Sequence, residues 1–274
     1  MNHINQCNCP VCLSWDHKII FEKDGYSYSI CKTCGYVFQA LRNTKEHHEK
    51  LPYCTQRDYE KHSKNRAKYI LKFCNNFVPK TTKLRILDIG CGRGGVMKYV
   101  KESLSNSYAL GYTLDMNEKP FDKKLKIVYQ NIEDIKEDLH SKYDFVIMAH
   151  VAEHFYDPFK AMCNTRRLMS DNSILYVEVP SFDLGEIRSN PIFSPEHVSY
   201  FTKNSLTNLL NISGFEVIKI KENKYWGNIK VIAKKYDRII TRKSMYYRYV
   251  LLKRQFLKLL YPLFRLNKRD KNND

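Results

Sequence analysis

Three groups of residues in this 274-residue chain have the types and spacing to do chemistry. Cys9-Pro-Val-Cys12 and Cys31-Lys-Thr-Cys34 are two C-x-x-C pairs with eighteen residues between them. Two such knuckles present four thiolates to one tetrahedral ion, the pattern of a structural zinc ribbon with no vacancy for water. Cys7 lies close by, but its spacing leaves Cys9 as the better first ligand. The second group is LRILDIGCGRGGVMKYV, residues 84–100, which holds four of the ten glycines in the chain. Glycine gathered at one turn means that backbone approaches something closely. The third is SPEHVSYF, residues 194–201, where His197 follows Glu196. A histidine titrates near neutral pH and can take a proton from a hydroxyl, while the adjacent carboxylate can orient the ring or hold the substrate.

The elements that must position these groups follow from periodicity. Between the cysteines, LSWDHKIIFEKDGYSYSI alternates like a short hairpin, and a ribbon over 1–42 is too small to fold without its metal. Residues 43–83 read as a helical linker, with Tyr59, Ala67, Ile70, Leu71 and Cys74 at helical intervals before Pro79. From 84 to 236 the pattern predicts strands at 84–89, 107–113, 125–129, 143–148 and 173–179, helices at 93–104, 158–169 and 202–213, and a closing strand pair at 215–221 and 225–234. Strands separated by helices call for an α/β fold, a doubly wound, mostly parallel sheet covered on both faces. Ligands of such sheets sit at the carboxyl ends of the strands, and Gly90, Gly92 and Gly94 fall in the first strand-to-helix turn.

LDIGCGRGG resembles motif I of the class I S-adenosylmethionine-dependent methyltransferases. The resemblance continues in order through YDFVIMAHVAEHFYDP, RRLMSDNSILYVEVPS and PEHVSYFTKNSLTNLLNISGFEVIKI, and spans roughly residues 66–236. It implies a Rossmann-like fold with Asp88, Gly90 and Gly92 around the methionine end of the cofactor, and Ala149 and His150 beside the sulfonium. The family's acidic ribose contact falls on Thr113, so Asp115 stands in for it, and the adenine contact falls on Asn131 with Ile132 as an apolar lid. Ribbon and core together resemble the methyltransferases of deoxysugar and surface-polysaccharide biosynthesis, whose base is the histidine of a Tyr-x-Glu-His motif. Here that motif places His197 as base and Glu196 beside it, with Ser194 where the tyrosine would be. The implied acceptor is a sugar, a sugar nucleotide or another small-molecule or glycan precursor, methylated on oxygen, on a phosphate-type group or on carbon.

Charge points to partners. The formal net charge is +17, and from Lys219 onward 17 Lys and Arg stand against 4 Asp and Glu. Within the tail, residues 237–274, Met245, Tyr249, Leu252, Phe256, Leu259 and Leu263 form one helical face, with Arg254, Lys258 and Arg265 opposite. A basic amphipathic helix of this kind either rests on an anionic membrane surface or packs on protein, and Pro262 kinks or ends it. No run of about eighteen apolar residues and no secretory leader pattern is present, which predicts a cytoplasmic protein, peripheral to the inner membrane face where the tail touches lipid. Two other readings fit parts of the chain. A nucleic-acid methyltransferase would use the ribbon and basic tail, but HVAEH replaces the Asn/Asp-Pro-Pro type and the ribbon balances Lys18, Lys23 and Lys32 against Asp16, Glu22 and Asp24. A non-catalytic zinc-ribbon adaptor would explain Thr113.

Overall fold

The computed structural model of the chain describes residues 8–23, 26–41, 56–80, 83–104, 107–113, 119–135, 142–185, 193, 197–223 and 227–236. The expectations for Asp115, Glu196 and the tail fall outside the described residues.

Strands β1 (His17–Lys23), β2 (Tyr26–Cys31) and β3 (Val37–Leu41) form an antiparallel meander. Helix α1 (Gln56–Cys74) follows and buries Ala67, Ile70 and Cys74, the three- and four-residue spacing of a single helix face. The main domain then runs β4 (Arg85–Ile89), α2 (Gly95–Ser103), β5 (Tyr108–Thr113), β6 (Lys126–Tyr129), β7 (Tyr143–Ala149), α3 (Pro158–Leu168) and β8 (Met169–Pro180). A short α4 (Phe182–Gly185), β9 (Ser199–Tyr200), α5 (Lys203–Ile212), β10 (Phe215–Asn223) and β11 (Asn228–Lys235) complete it. Local chemistry sets the helix starts. Asp157 accepts from the Lys160 N–H ahead of Pro158 at the head of α3, and Thr202 forms a reciprocal capping box with Ser205 at the head of α5.

Seven strands make the main sheet in the order β10-β11-β8-β7-β4-β5-β6. β4 through β8 pair in parallel, and β11 is antiparallel to both its neighbours. Alternation within the central strands feeds two cores. Ile86, Phe145, Ile147, Ile174 and Tyr176 pack on α1 and α2, while Leu87, Val146, Met148, Leu175 and Val177 pack on α3 and α5. Each Ile, Leu, Val, Met or Phe among them contributes about 1.5–3 kcal/mol by leaving water. From β4 the chain winds outward to β5 and β6, then returns to β7 on the other side. That reversal opens a crevice beyond the carboxyl ends of β4 and β7, where ligands of doubly wound sheets bind.

Three details differ from the sequence expectation. α2 begins at Gly95 rather than 93, because Gly92 and Gly94 adopt left-handed conformations in the turn. β8 begins at Met169, so the polar stretch 170–172 continues the strand; a register shift between Tyr143 and Phe145 of β7 accommodates it. The ribbon meander also gains a fourth strand from the main domain: the sheet order is β1-β2-β3-β9. No described helix is long and apolar enough to cross a membrane.

Candidate active site

The cysteine knuckles are built alike. The Leu13 N–H bonds to the Cys9 carbonyl at 2.8 Å and the Gly35 N–H to the Cys31 carbonyl at 2.9 Å, with both Leu13 and Gly35 left-handed. This brings the Cys9 and Cys34 sulfurs to 3.6 Å and the Cys12 and Cys31 sulfurs to 3.5 Å, all four ligand atoms lying within 4.8 Å of one another. A zinc ion with sulfurs at about 2.3 Å needs tetrahedral edges of about 3.8 Å, so the quartet fits zinc.

At the crevice, the turn after β4 folds back tightly. The N–H groups of Gly90 and Cys91 both donate to the Tyr112 carbonyl at the end of β5, at 2.8 and 3.0 Å. Gly90 has φ +74°, and a Cβ there would lie 2.5 Å from the Val151 Cβ, so the turn after β4 rests directly on the turn after β7. Asp88 precedes it, 3% exposed, with Oδ2 lacking any hydrogen-bond partner. Burial pushes its carboxyl up to about 7, against the opposing pull of the Met97 N–H and the Arg66 charge. At the first turn of α2 the Gly95 N–H donates to the Tyr59 hydroxyl of α1 at 3.1 Å, and Arg93 lies over the Tyr59 ring at 4.8 Å.

Asn131 and Ile132 follow β6. The Asn131 side-chain oxygen caps a 3-10 turn by accepting from the Glu133 N–H at 2.9 Å, and its Nδ2 donates to Glu133 Oε2 at 3.3 Å. Ile132 is buried, and its carbonyl accepts from Asn164 at 2.8 Å. Asn131 is thus engaged in its own turn in this conformation.

Ala149 ends β7, and His150 leaves it with φ +56°, a left-handed backbone rare outside glycine. Two carboxylates hold that ring: His150 Nδ1 lies 3.3 Å from Glu153 Oε1, and Nε2 lies 3.8 Å from Glu178 Oε1. Burial would lower the imidazole, yet the bonds to Glu153 and Glu178 outweigh it and raise it to about 9. Glu178 in turn accepts from Asn228 at 2.9 Å and from Tyr176 at 2.8 Å and faces Lys230 at 3.7 Å. Burial alone would raise it; His150 and Lys230 hold it down to about 2. Sequence reasoning missed Glu178 and Asn228. The first carries a visible signal, a lone carboxylate inside the apolar run ILYVEVP.

His197 stands two residues before β9. Its ring stands edge-on to His154 with centroids 5.1 Å apart and to Tyr200 at 5.7 Å. Glu153, His154 and His197 each offer an atom within 4.8 Å of the others. Burial lowers the His197 imidazole, with Glu153 opposing and His154 and His150 reinforcing. The structure therefore gathers Asp88, Gly90, Gly92, Ala149 and His150 at one crevice and sets His197 against the turn that follows His150.

A family model described as a methyltransferase domain matches residues 59–220. The chain belongs to this methyltransferase family. A SAM-dependent methyltransferase from Archaeoglobus fulgidus is similar with a TM-score of 0.51 at 19% identity, covering 63% of this chain and 94% of that one. One from Mesorhizobium loti gives 0.50 at 16% identity over 62% and 98%. The plantazolicin methyltransferase BamL, solved with SAH, gives 0.51 at 16% identity over 65% and 88%. These likenesses are of fold. No curated protein matches the chain.

Methyl transfer is the activity of this family, and S-adenosylmethionine is the donor on which the Archaeoglobus fulgidus and Mesorhizobium loti enzymes depend. The crevice of the methyltransferase fits that donor: a turn without side chains for backbone approach, and a buried carboxylate with an unpartnered oxygen able to receive an ammonium. The donor supplies an electrophilic methyl group on sulfur. The chain supplies orientation, exclusion of water and a place for the acceptor's proton.

Proposed function

We propose that the enzyme methylates a hydroxyl of a sugar, sugar nucleotide or surface-polysaccharide precursor, with S-adenosylmethionine bound over Asp88, Gly90 and Gly92 and with a structural zinc on Cys9, Cys12, Cys31 and Cys34. His197 is the group that takes the acceptor's proton. The observation that carries this reading is the meeting of His197 and His154, edge to face at 5.1 Å, beside the turn that follows β7. A hydroxyl is a poor nucleophile until its proton is removed during attack, and an imidazole kept neutral by its surroundings accepts that proton near pH 7. The acceptor's oxygen–carbon bond forms as the sulfur–carbon bond breaks, and the thioether product leaves. A carbon acceptor would need the same base but an adjacent carbonyl to stabilise the anion.

The test has two stages. Calorimetric titration of zinc-loaded protein with S-adenosylmethionine establishes the donor site, with Asp88→Ala as control. Formation of the thioether product is then measured against a panel of sugar nucleotides and glycans. Loss of about 10²–10⁴ in kcat in His197→Ala, with donor affinity unchanged, supports the reading. Full activity in His197→Ala sinks it.

A further inference from the structure

Besides the four cysteines, one further cluster of metal-ligating side chains stands out among the described residues, and it lies at the acceptor side of the crevice. Glu153 is 2% exposed, and only one of its oxygens is used: Oε1 pairs with His150 Nδ1, while Oε2 has no hydrogen-bond partner. A buried carboxylate oxygen without a donor is costly, and native interiors rarely leave one so. Next to it in sequence, exposed His154 turns its ring edge-on to half-buried His197, and the ligand atoms of all three residues lie within 4.8 Å of one another.

We infer that Glu153, His154 and His197 form a second metal centre, one that takes a divalent ion of the zinc class and keeps a coordination position open for the acceptor's hydroxyl oxygen. The donor set is two imidazoles and one carboxylate, which suits zinc and its first-row neighbours and differs from the closed four-thiolate ribbon in having three protein ligands. An ion at about 2.0–2.1 Å from each ligand needs ligand atoms about 3.4 Å apart, a contraction that two imidazole rings and a glutamate supply by side-chain rotation. The support around the trio is that of a metal site. His150 Nδ1 pairs with Glu153 Oε1, which orients the carboxylate and leaves Oε2 for the ion, and His150 is fixed in turn by Glu178 and Asn228. His154 is the exposed member of the trio, so the cluster is open to an acceptor from solvent on that side.

The inference rests on the reading that His197 faces the acceptor, and it changes how the proton is lost. With the ion in place His197 is a ligand, the bound hydroxyl is acidified by coordination, and its proton leaves to water.

Metal content of full-length protein, saturated with zinc and then dialysed, tests it. Two zinc ions per chain are expected in the wild type and one in Glu153→Gln and in His154→Gln. His154 is exposed, so its substitution leaves the core intact, and near-ultraviolet circular dichroism checks this for both variants. Cobalt added after the ribbon is zinc-filled should give visible bands without a thiolate charge-transfer band, and these bands should shift when a hydroxylic acceptor is added. One ion per chain in the wild type, or two in folded His154→Gln, overturns the inference. Failure of the functional reading looks different: two ions bind, yet no hydroxylic acceptor is methylated. Conversely, one ion per chain with His197-dependent methyl transfer leaves the functional reading standing and removes the second metal.

Discussion

The Tyr36 hydroxyl, two residues beyond the last ribbon cysteine, donates a hydrogen bond to the hydroxyl of Ser199, two residues beyond His197. Around that bond Val37 pairs with Tyr200 and Phe38 with Ser199, and the Gln39 N–H donates to the Val198 carbonyl at 2.9 Å. The ribbon and the histidine are thus parts of one small sheet. Cys31→Ser with Cys34→Ser should lower kcat by about 10- to 100-fold, the usual cost of losing an outer support, while donor affinity stays within a factor of about three. Parallel loss of donor binding would mean that the ribbon supports the whole fold instead.

Gly90→Ala adds a Cβ where the Val151 side chain already lies and forces alanine into φ +74°. The expected loss is about 2–4 kcal/mol of stability from the two effects together. Adding Val151→Gly, which removes the Cβ that lies 2.5 Å away as well as both methyls, should recover the steric part and leave about 1–2 kcal/mol for the left-handed backbone. Thermal unfolding of the three variants checks it, and no recovery in the double variant assigns the whole cost to the backbone.

Asp88 holds its proton more tightly folded than unfolded, because burial raises it from 3.8 to about 7. Its contribution to stability is therefore complete below about pH 4 and fades as the pH rises through 7, a change of a few kcal/mol at most. Asp88→Asn should flatten stability over that window and be the more stable form at pH 8. A donor whose ammonium meets this carboxylate will discharge its proton, so titrations at pH 6.5 in two buffers of different ionisation enthalpy should show release of up to about one proton. Asp88→Asn should show none.

Tyr59→Phe removes the acceptor for the Gly95 N–H at the head of α2. A loss of about 0.5–1.5 kcal/mol is expected, because the buried N–H is left without its partner while the ring keeps its place under Arg93. Denaturant midpoints measure it; an unchanged midpoint means that water replaces the hydroxyl.

The strands of the main sheet were legible because each is a short apolar run bounded by polar turns, and 84–89 became Arg85–Ile89 with one residue to spare. The cysteines were legible because two C-x-x-C pairs announce themselves by spacing alone. β9 was not: two residues carry no periodicity, and its partner β3 lies far away in the chain. Nor was the local cap of Asn131, which depends on an N–H two residues on that only the folded turn presents. Glu153 reads as one acid in a turn; its orphan oxygen and its place between three histidines emerge only when β7, its turn and β9 come together.

The sheet order β1-β2-β3-β9 also dictates a sequence of events during synthesis. A chain emerging amino end first can close its cysteine loop early, but β3 waits as an open edge until residues 199–200 are made, and Ser199 lies 163 positions after its partner Tyr36. An unpaired edge is a template for wrong partners. The nascent ribbon is therefore open to misassociation while the ribosome is still at work, and slow elongation between β3 and β9 would lengthen that exposure.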